Sequence, residues 1–199
     1  MAVNVKNLST CEFELIKIIP SGINNQDFES LLEYFSSKTL TENPKDSALN
    51  RYRTRVDRMP ANNLSLFNKG VVSANRHFDL ELFDPVQYES FTYAEYHKDH
   101  FTEIHNDLCT TRYFKENTRK LTAILILSEP SEYDGGEFII HGTDMLDELG
   151  IRHIKKLYSC KPNKGDIIVI PSFVFHEVMP IKSGIRKTLT GLVLGPRYK

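Results

Sequence analysis

His105-Asn106-Asp107 is answered far down the chain by His176 and then by Arg186. An imidazole, a carboxylate two residues on and a distant second imidazole make the two-histidine, one-carboxylate facial triad, which holds Fe(II) on one face and leaves the opposite positions open for chemistry. The pairing constrains the backbone. In an extended strand, residues two apart point the same way, so His105 and Asp107 can share one ion while Asn106 faces away; a helix would splay them.

The surrounding sequence reads in the same sense. After Asp84-Pro85 the chain breaks into short β-branched or aromatic runs at 87–96, 101–107, 120–128, 137–141, 167–171, 174–178 and 188–194. Turns such as Asp134-Gly135-Gly136 and Asn163-Lys164-Gly165-Asp166 separate them. Before that point an opening strand-like run, Phe13 to Ile19, leads to a helix capped by Asn24 or Asn25, with Phe28, Leu31, Leu32 and Phe35 as its apolar stripe. The stretch 39–50 reads as a loop. A second helix is expected within 63–76, weakened by Gly70 and Val71-Val72. Helices first and strands afterward predict helices packed outside a β sandwich or barrel.

Length and charge set further bounds. A chain of 199 residues with a formal net charge of -1 suits one domain around a single core, and gives no general attraction to nucleic acid or membrane. No apolar run approaches a membrane span, and the first residues lack a signal-peptide core, so a cytoplasmic protein without membrane contact is expected. Cys11, Cys109 and Cys160 are odd in number and widely spaced, which favours reduced thiols over disulfides or a zinc knuckle.

Several motifs occur in a fixed order. They are Tyr96, Phe101, His105-Asn106-Asp107, Arg119-Lys120-Leu121-Thr122, Tyr133-Asp134-Gly135-Gly136-Glu137 and Gly165-Asp166. Pro171-Ser172, His176-Glu177-Val178-Met179-Pro180-Ile181, Gly184-Ile185-Arg186 and Gly195-Pro196 follow. In this order, from about Phe78 to Pro196, the chain resembles the Fe(II)/2-oxoglutarate-dependent dioxygenases, and within them the prolyl 4-hydroxylase group with its bacterial and viral relatives. The resemblance implies a mainly β fold with flanking helices, a double-stranded β-helix or cupin-like jelly roll. It also implies one domain over 1–199, with supporting elements in 1–77 and the barrel core in 78–199.

By motif position, the resemblance makes His105, Asp107 and His176 the Fe(II) ligands and Arg186 the partner of the distal carboxylate of 2-oxoglutarate. Tyr96 becomes a cosubstrate contact, and Thr190, on the strand of Arg186 with matching parity, faces the same cavity. A guanidinium suits the anchoring role because its fork grips a carboxylate through two hydrogen bonds. The implied reaction is decarboxylation of 2-oxoglutarate by O2 coupled to C–H hydroxylation, with ascorbate as reductant. The implied acceptor is a prolyl residue of a peptide or protein; a free amino acid or other small molecule is the alternative, and a nucleic acid is not expected.

The sequence departs from the family pattern at Asp99, where a glycine is usual, at Thr102, where an aromatic is usual, and at Ile126, where some relatives place a second tyrosine; it has no tryptophan. Asp tolerates positive φ, so the turn at Asp99 can survive. Other readings of single features stay open. His97-Lys98-Asp99 is a second His-x-Asp, His77, His100, His141 and His153 are ordinary polar residues, and Gly135-Gly136 needs no more than a hairpin turn. Arg51, Arg53, Arg55 and Arg58 either form a solvated face paired with acids such as Asp57, the favoured reading, or meet an anionic substrate. The segment 142–156 reads as an insertion between barrel strands.

Overall fold

The run Leu121 to Leu127 lacks the polar alternation of a half-exposed strand because both of its faces are buried. In a computed structural model, which describes residues 15–20, 25–42, 49–56, 59, 61–108, 117–143 and 154–198, this run lies in the middle of the larger of two antiparallel sheets. The elements in chain order are β1 (Lys17–Pro20), α1 (Asn25–Ser36), β2 (Thr41–Glu42), β3 (Leu49–Asn50), β4 (Tyr52–Val56), α2 (Ala61–Phe78), β5 (Gln87–Tyr96), β6 (Phe101–His105) and β7 (Asn117–Ile126). They continue with β8 (Tyr133–Gly135), β9 (Phe138–Thr143), β10 (Ile154–Cys160), β11 (Asp166–Pro171), β12 (Phe175–Val178), β13 (Ile181–Gly184) and β14 (Arg186–Pro196). The large sheet runs β1-β11-β7-β14-β5-β4-β2, the small one β10-β9-β12-β6-β3, and β13 pairs with β8 beside them. This is the double-stranded β-helix architecture, with the two helices outside it.

Two cores result. Leu121, Ala123, Leu125 and Leu127 face outward onto Phe28, Leu31 and Phe35 of α1 and Phe67 and Val71 of α2. Ile124 and Ile126 face inward, meeting Ile168 and Ile170 of β11 and Phe138 and Ile140 of β9. Each such side chain fully withdrawn from water contributes about 1.5–3 kcal/mol.

The helix expected within 63–76 is longer, Ala61–Phe78, and runs straight through Gly70 and Val71-Val72. Packing explains it: a Cβ on Gly70 would lie 2.7 Å from Cδ1 of Ile167, so the glycine lets α2 close on the sheet, and Val71 is fully buried. The loop expected over 39–50 carries two short strand pairings, Thr41 with Arg53 and Leu49 with Thr102. Part of the expected insertion 142–156 is strand: β10 pairs with β9 from Ile154 onward, and 144–153 lie outside the described residues. Of the expected opening strand, Lys17 to Ile19 lie in β1, and Phe13, Glu14, Asn24, Cys11, Cys109, His153, Asp57 and Arg58 lie outside the described residues.

Candidate metal centre

β6 and β12 are neighbours in the small sheet, with His105 directly opposite His176. The register slips between this pair and the next, Thr102 opposite Val178, so Glu103 and Ile104 form a bulge. The extra residue lets Thr102 and His105, three apart, both line the interior cavity. Asp107 is not on the strand at all. β6 stops at His105, and the carboxylate is brought round by a loop whose Asp107 N–H donates to the Ser172 carbonyl at 2.9 Å. Arg119 donates to the Asp107 carbonyl at 3.1 Å, and Thr122 Oγ1 donates to Asp107 Oδ2 at 2.7 Å. Extended alternation is therefore not what pairs His105 with Asp107; the loop and its three hydrogen bonds do.

Among the described residues, one group of metal-ligating side chains converges: His105, Asp107 and His176, whose ligand atoms all lie within 4.8 Å of one another. His105 Nε2 is 3.7 Å from Asp107 Oδ1, and His176 Nε2 is 3.5 Å from Asp107 Oδ2. Two ligands each about 2.1 Å from an ion can be no more than about 4.2 Å apart, so both separations suit a shared ion. Each ring is held from behind: His105 Nδ1 lies 2.8 Å from the Glu103 carbonyl and His176 Nδ1 3.0 Å from that of Val174. Those bonds place the proton on Nδ1 and leave the Nε2 lone pair free to bind metal. Burial lowers the His176 pKa to about 4 against the opposing pull of Asp107, which keeps the imidazole neutral as a ligand must be.

Arg186 begins β14, opposite Tyr96 of β5, and its side chain reaches into the same cavity. It is only 2% exposed. Its guanidinium lies 5.3 Å from the Tyr96 ring and is close to Tyr133, whose hydroxyl pKa is raised by burial against the opposing Arg186 charge. Its Nη2 has no partner among the described residues. A buried cation with an unused donor is built to receive an anion. Gly136 makes room for it: at φ 67, a Cβ there would lie 2.5 Å from Ile181 Cδ1 and 3.1 Å from Arg186 Cδ. Gly135-Gly136 is thus more than a hairpin turn.

The cavity of about 50 Å³ is lined by all six residues singled out in the sequence, His105, Asp107, His176, Arg186, Tyr96 and Thr190. It is also lined by Thr102, Thr122 and Thr188, to which the motifs assign no role, and by Arg51, one of the arginines for which contact with an anionic substrate is the second reading. Arg51 sits at the bend before β4, outside the strand alternation that carries Arg53 and Arg55 on one exposed edge, so it does not share their face. Arg55 and Arg119 both bind Glu89, at 2.8 Å and, through two bonds, at 2.6 and 2.8 Å. His97 turns to Glu95 at 3.1 Å, and Asp99, exposed at φ 68, makes the left-handed turn that usually takes glycine. His141 pairs with Glu177 and His100 with Glu42, away from the cavity. Cys160 is a free thiol, with its pKa raised to about 11 by burial. No helix among the described residues is long and apolar enough to cross a membrane.

Residues 91–193 match the 2OG-Fe(II) oxygenase superfamily. A PKHD-type hydroxylase of Nitrobacter winogradskyi is 42% identical over 66 residues, 33% of this chain and 24% of that protein, and one of Cupriavidus metallidurans is 39% identical over 79 residues, 38% and 30% of the two lengths. The chain thus matches under a third of these curated relatives' own length. The fold is similar to that of the viral collagen prolyl hydroxylase of Paramecium Bursaria Chlorella virus-1, with TM-score 0.65 and 18% identity over 93% of this chain and 98% of that one. It is also similar to a Pseudomonas putida prolyl-4-hydroxylase, with TM-score 0.60 and 20% identity over 96% and 100% of the two chains.

Proposed function

The chain belongs to the 2OG-Fe(II) oxygenase superfamily, and from that premise we propose that it is an Fe(II)- and 2-oxoglutarate-dependent dioxygenase that hydroxylates a C–H bond of a proline. The observation that carries this reading is the convergence, in one cavity, of His105, Asp107 and His176 with a buried arginine that has a donor to spare. The names of the relatives and of the similar folds, a hydroxylase and two prolyl hydroxylases, support the choice of acceptor.

The residues fit the groups they would hold. His105 Nε2, His176 Nε2 and one Asp107 oxygen would take one face of the metal, with Arg186 meeting the far carboxylate of the cosubstrate and Tyr96 and Thr190 lining its berth. When bound, the metal and 2-oxoglutarate supply the oxidising chemistry, in which O2 converts the cosubstrate to succinate and CO2 and delivers one oxygen atom to the acceptor. The chain's own part is orientation. Thr122 holds Asp107 through Oδ2 so that the carboxylate stays directed at the histidines, and the carbonyls of Glu103 and Val174 fix both rings. Phe138, Ile124 and Val178 keep the inner wall apolar, which strengthens every charge interaction made against it. Ascorbate would serve as the outside reductant.

The test is succinate release from 2-oxoglutarate by the full chain with Fe(II) and ascorbate, with and without a proline-rich peptide. Stimulated release together with a hydroxylated peptide is expected. No 2-oxoglutarate consumption under any metal loading would refute the reading.

A further inference from the structure

Arg51 carries a charge that the proposed chemistry does not use. Its Nη1 donates to the Tyr96 hydroxyl and, at 2.9 Å, to Thr102 Oγ1, both on the cavity wall. Its guanidinium lies 5.4 Å from the Tyr96 ring, so two guanidiniums, its own and that of Arg186, share one tyrosine. Its Nε is buried without a hydrogen-bond partner. Its neighbours differ: Arg55 and Arg119 are both paired with Glu89, and Arg53 is exposed to water. Among the described residues the only carboxylate lining the cavity is Asp107, which the metal would claim.

Charge balance then asks for one more anion. A bound Fe(II) would be offset by Asp107 and the near carboxylate of 2-oxoglutarate, and Arg186 by the far carboxylate, which among the described residues leaves Arg51 without a counter-charge in the cavity. A guanidinium that lines a cavity with apolar walls, its Nε cut off from water, gains from a paired anion. A neutral peptide carbonyl cannot supply the missing charge; a carboxylate can, through the two-pronged contact that guanidinium favours.

We propose that Arg51 binds a carboxylate carried by the acceptor, so that the acceptor is an acid, either a free amino acid or the C-terminal residue of a peptide. This rests on the dioxygenase reading above and narrows it: an internal prolyl residue flanked by peptide bonds would leave Arg51 unmatched.

The experiment is calorimetric titration of the full chain loaded with Zn(II), which does not turn over. It is titrated first with 2-oxoglutarate, then with L-proline or L-prolinamide, and separately with a short peptide ending in proline or its C-terminal amide. The wild type should bind at least one acid about tenfold or more tightly than its amide, the worth of one charge-assisted hydrogen bond. The member of the panel that shows the preference identifies the source of the carboxylate. Arg51→Gln should erase the preference, and Arg51→Lys should keep part of it. Both variants should hold 2-oxoglutarate within about twofold of wild type, a difference worth only about 0.4 kcal/mol. A preference that survives Arg51→Gln, no preference in the wild type, or a collapse of 2-oxoglutarate affinity in Arg51→Gln would each overturn the proposal. The last would assign Arg51 to the cosubstrate. A metal-loaded wild type that takes no 2-oxoglutarate overturns the dioxygenase reading and this one with it, whereas a cosubstrate complex without acid preference overturns this one alone.

Discussion

His105 and His176 face each other across two adjacent strands, with their ring centroids 4.3 Å apart and both Nε2 atoms turned toward Asp107. His176 reaches that position by strand alternation, as Val178 does, whereas a bulge at Glu103-Ile104 sets the facing of His105. Replacing His105, Asp107 or His176 by Ala should remove one of three protein ligands and abolish Fe(II) binding and cosubstrate turnover together. His97→Ala, whose ring is engaged with Glu95, should bind metal as the wild type does. Metal titration followed by circular dichroism checks both, and normal Fe(II) affinity in His105→Ala would refute the assignment.

Arg186→Ala should separate the metal from the cosubstrate. Fe(II) binding should stay near wild type while 2-oxoglutarate affinity falls at least about tenfold, because a charge-assisted hydrogen bond is lost and a carboxylate is left facing an apolar wall. Arg186→Lys should recover only part of the loss, since an ammonium has no planar fork. An unchanged cosubstrate affinity in Arg186→Ala would place the anchor elsewhere.

Thr122 acts through Asp107. Thr122→Val keeps the shape but removes the donor at 2.7 Å from Asp107 Oδ2, so Fe(II) affinity should fall about 10–100-fold, and Thr122→Ser should restore most of it. A packing role alone predicts the opposite order, with valine tolerated better than serine.

Glu89 gives the fold a pH dependence with a definite sign. The Arg119 guanidinium holds its carboxyl below the ordinary value, so the stabilisation is fully present above about pH 4.5 and is lost as pH falls through the lowered folded-state value. Glu89→Gln should therefore cost about 1–2 kcal/mol at neutral pH, less than a fully buried pair because Arg55 is half exposed. The two proteins should converge in urea unfolding once the pH has fallen past that lowered folded-state value. A gap that persists there would mean that the side chain acts through packing and not through charge.

The parts of this molecule that the sequence makes legible are those written in residue type and order. His105, Asp107, His176 and Arg186 belong to a motif series, and Arg186, Thr188 and Thr190 keep strand parity, so their convergence in one cavity was foreseeable. What escapes is set by contacts between distant segments. Nothing local to Arg51 says that a bend there turns it inward while Arg53 and Arg55 stay outside. The hydroxyl of Thr122 acquires its role only when the loop after β6 lays Asp107 against β7. The length of α2 was underread because Gly70 looks like a helix weakness until Ile167 is seen pressing on it. β10 was hidden in a stretch that resembled an insertion, since its pairing partner, not its composition, makes it a strand.

The two histidines stand on the small sheet, and Asp107 is tied by Thr122 to the large one. An ion held by all three would rivet the two sheets together, where among the described residues no strand pairing joins β7 to β6 or β12. Ligand linkage at a hundredfold excess over Kd is worth about 2.7 kcal/mol, a large share of a small protein's margin. The supply of iron would then govern how long the polypeptide lasts as well as whether it turns over. A starved chain would gape at its mouth and be cut there first, a difference that limited proteolysis with and without Fe(II) would register in the cleavage pattern.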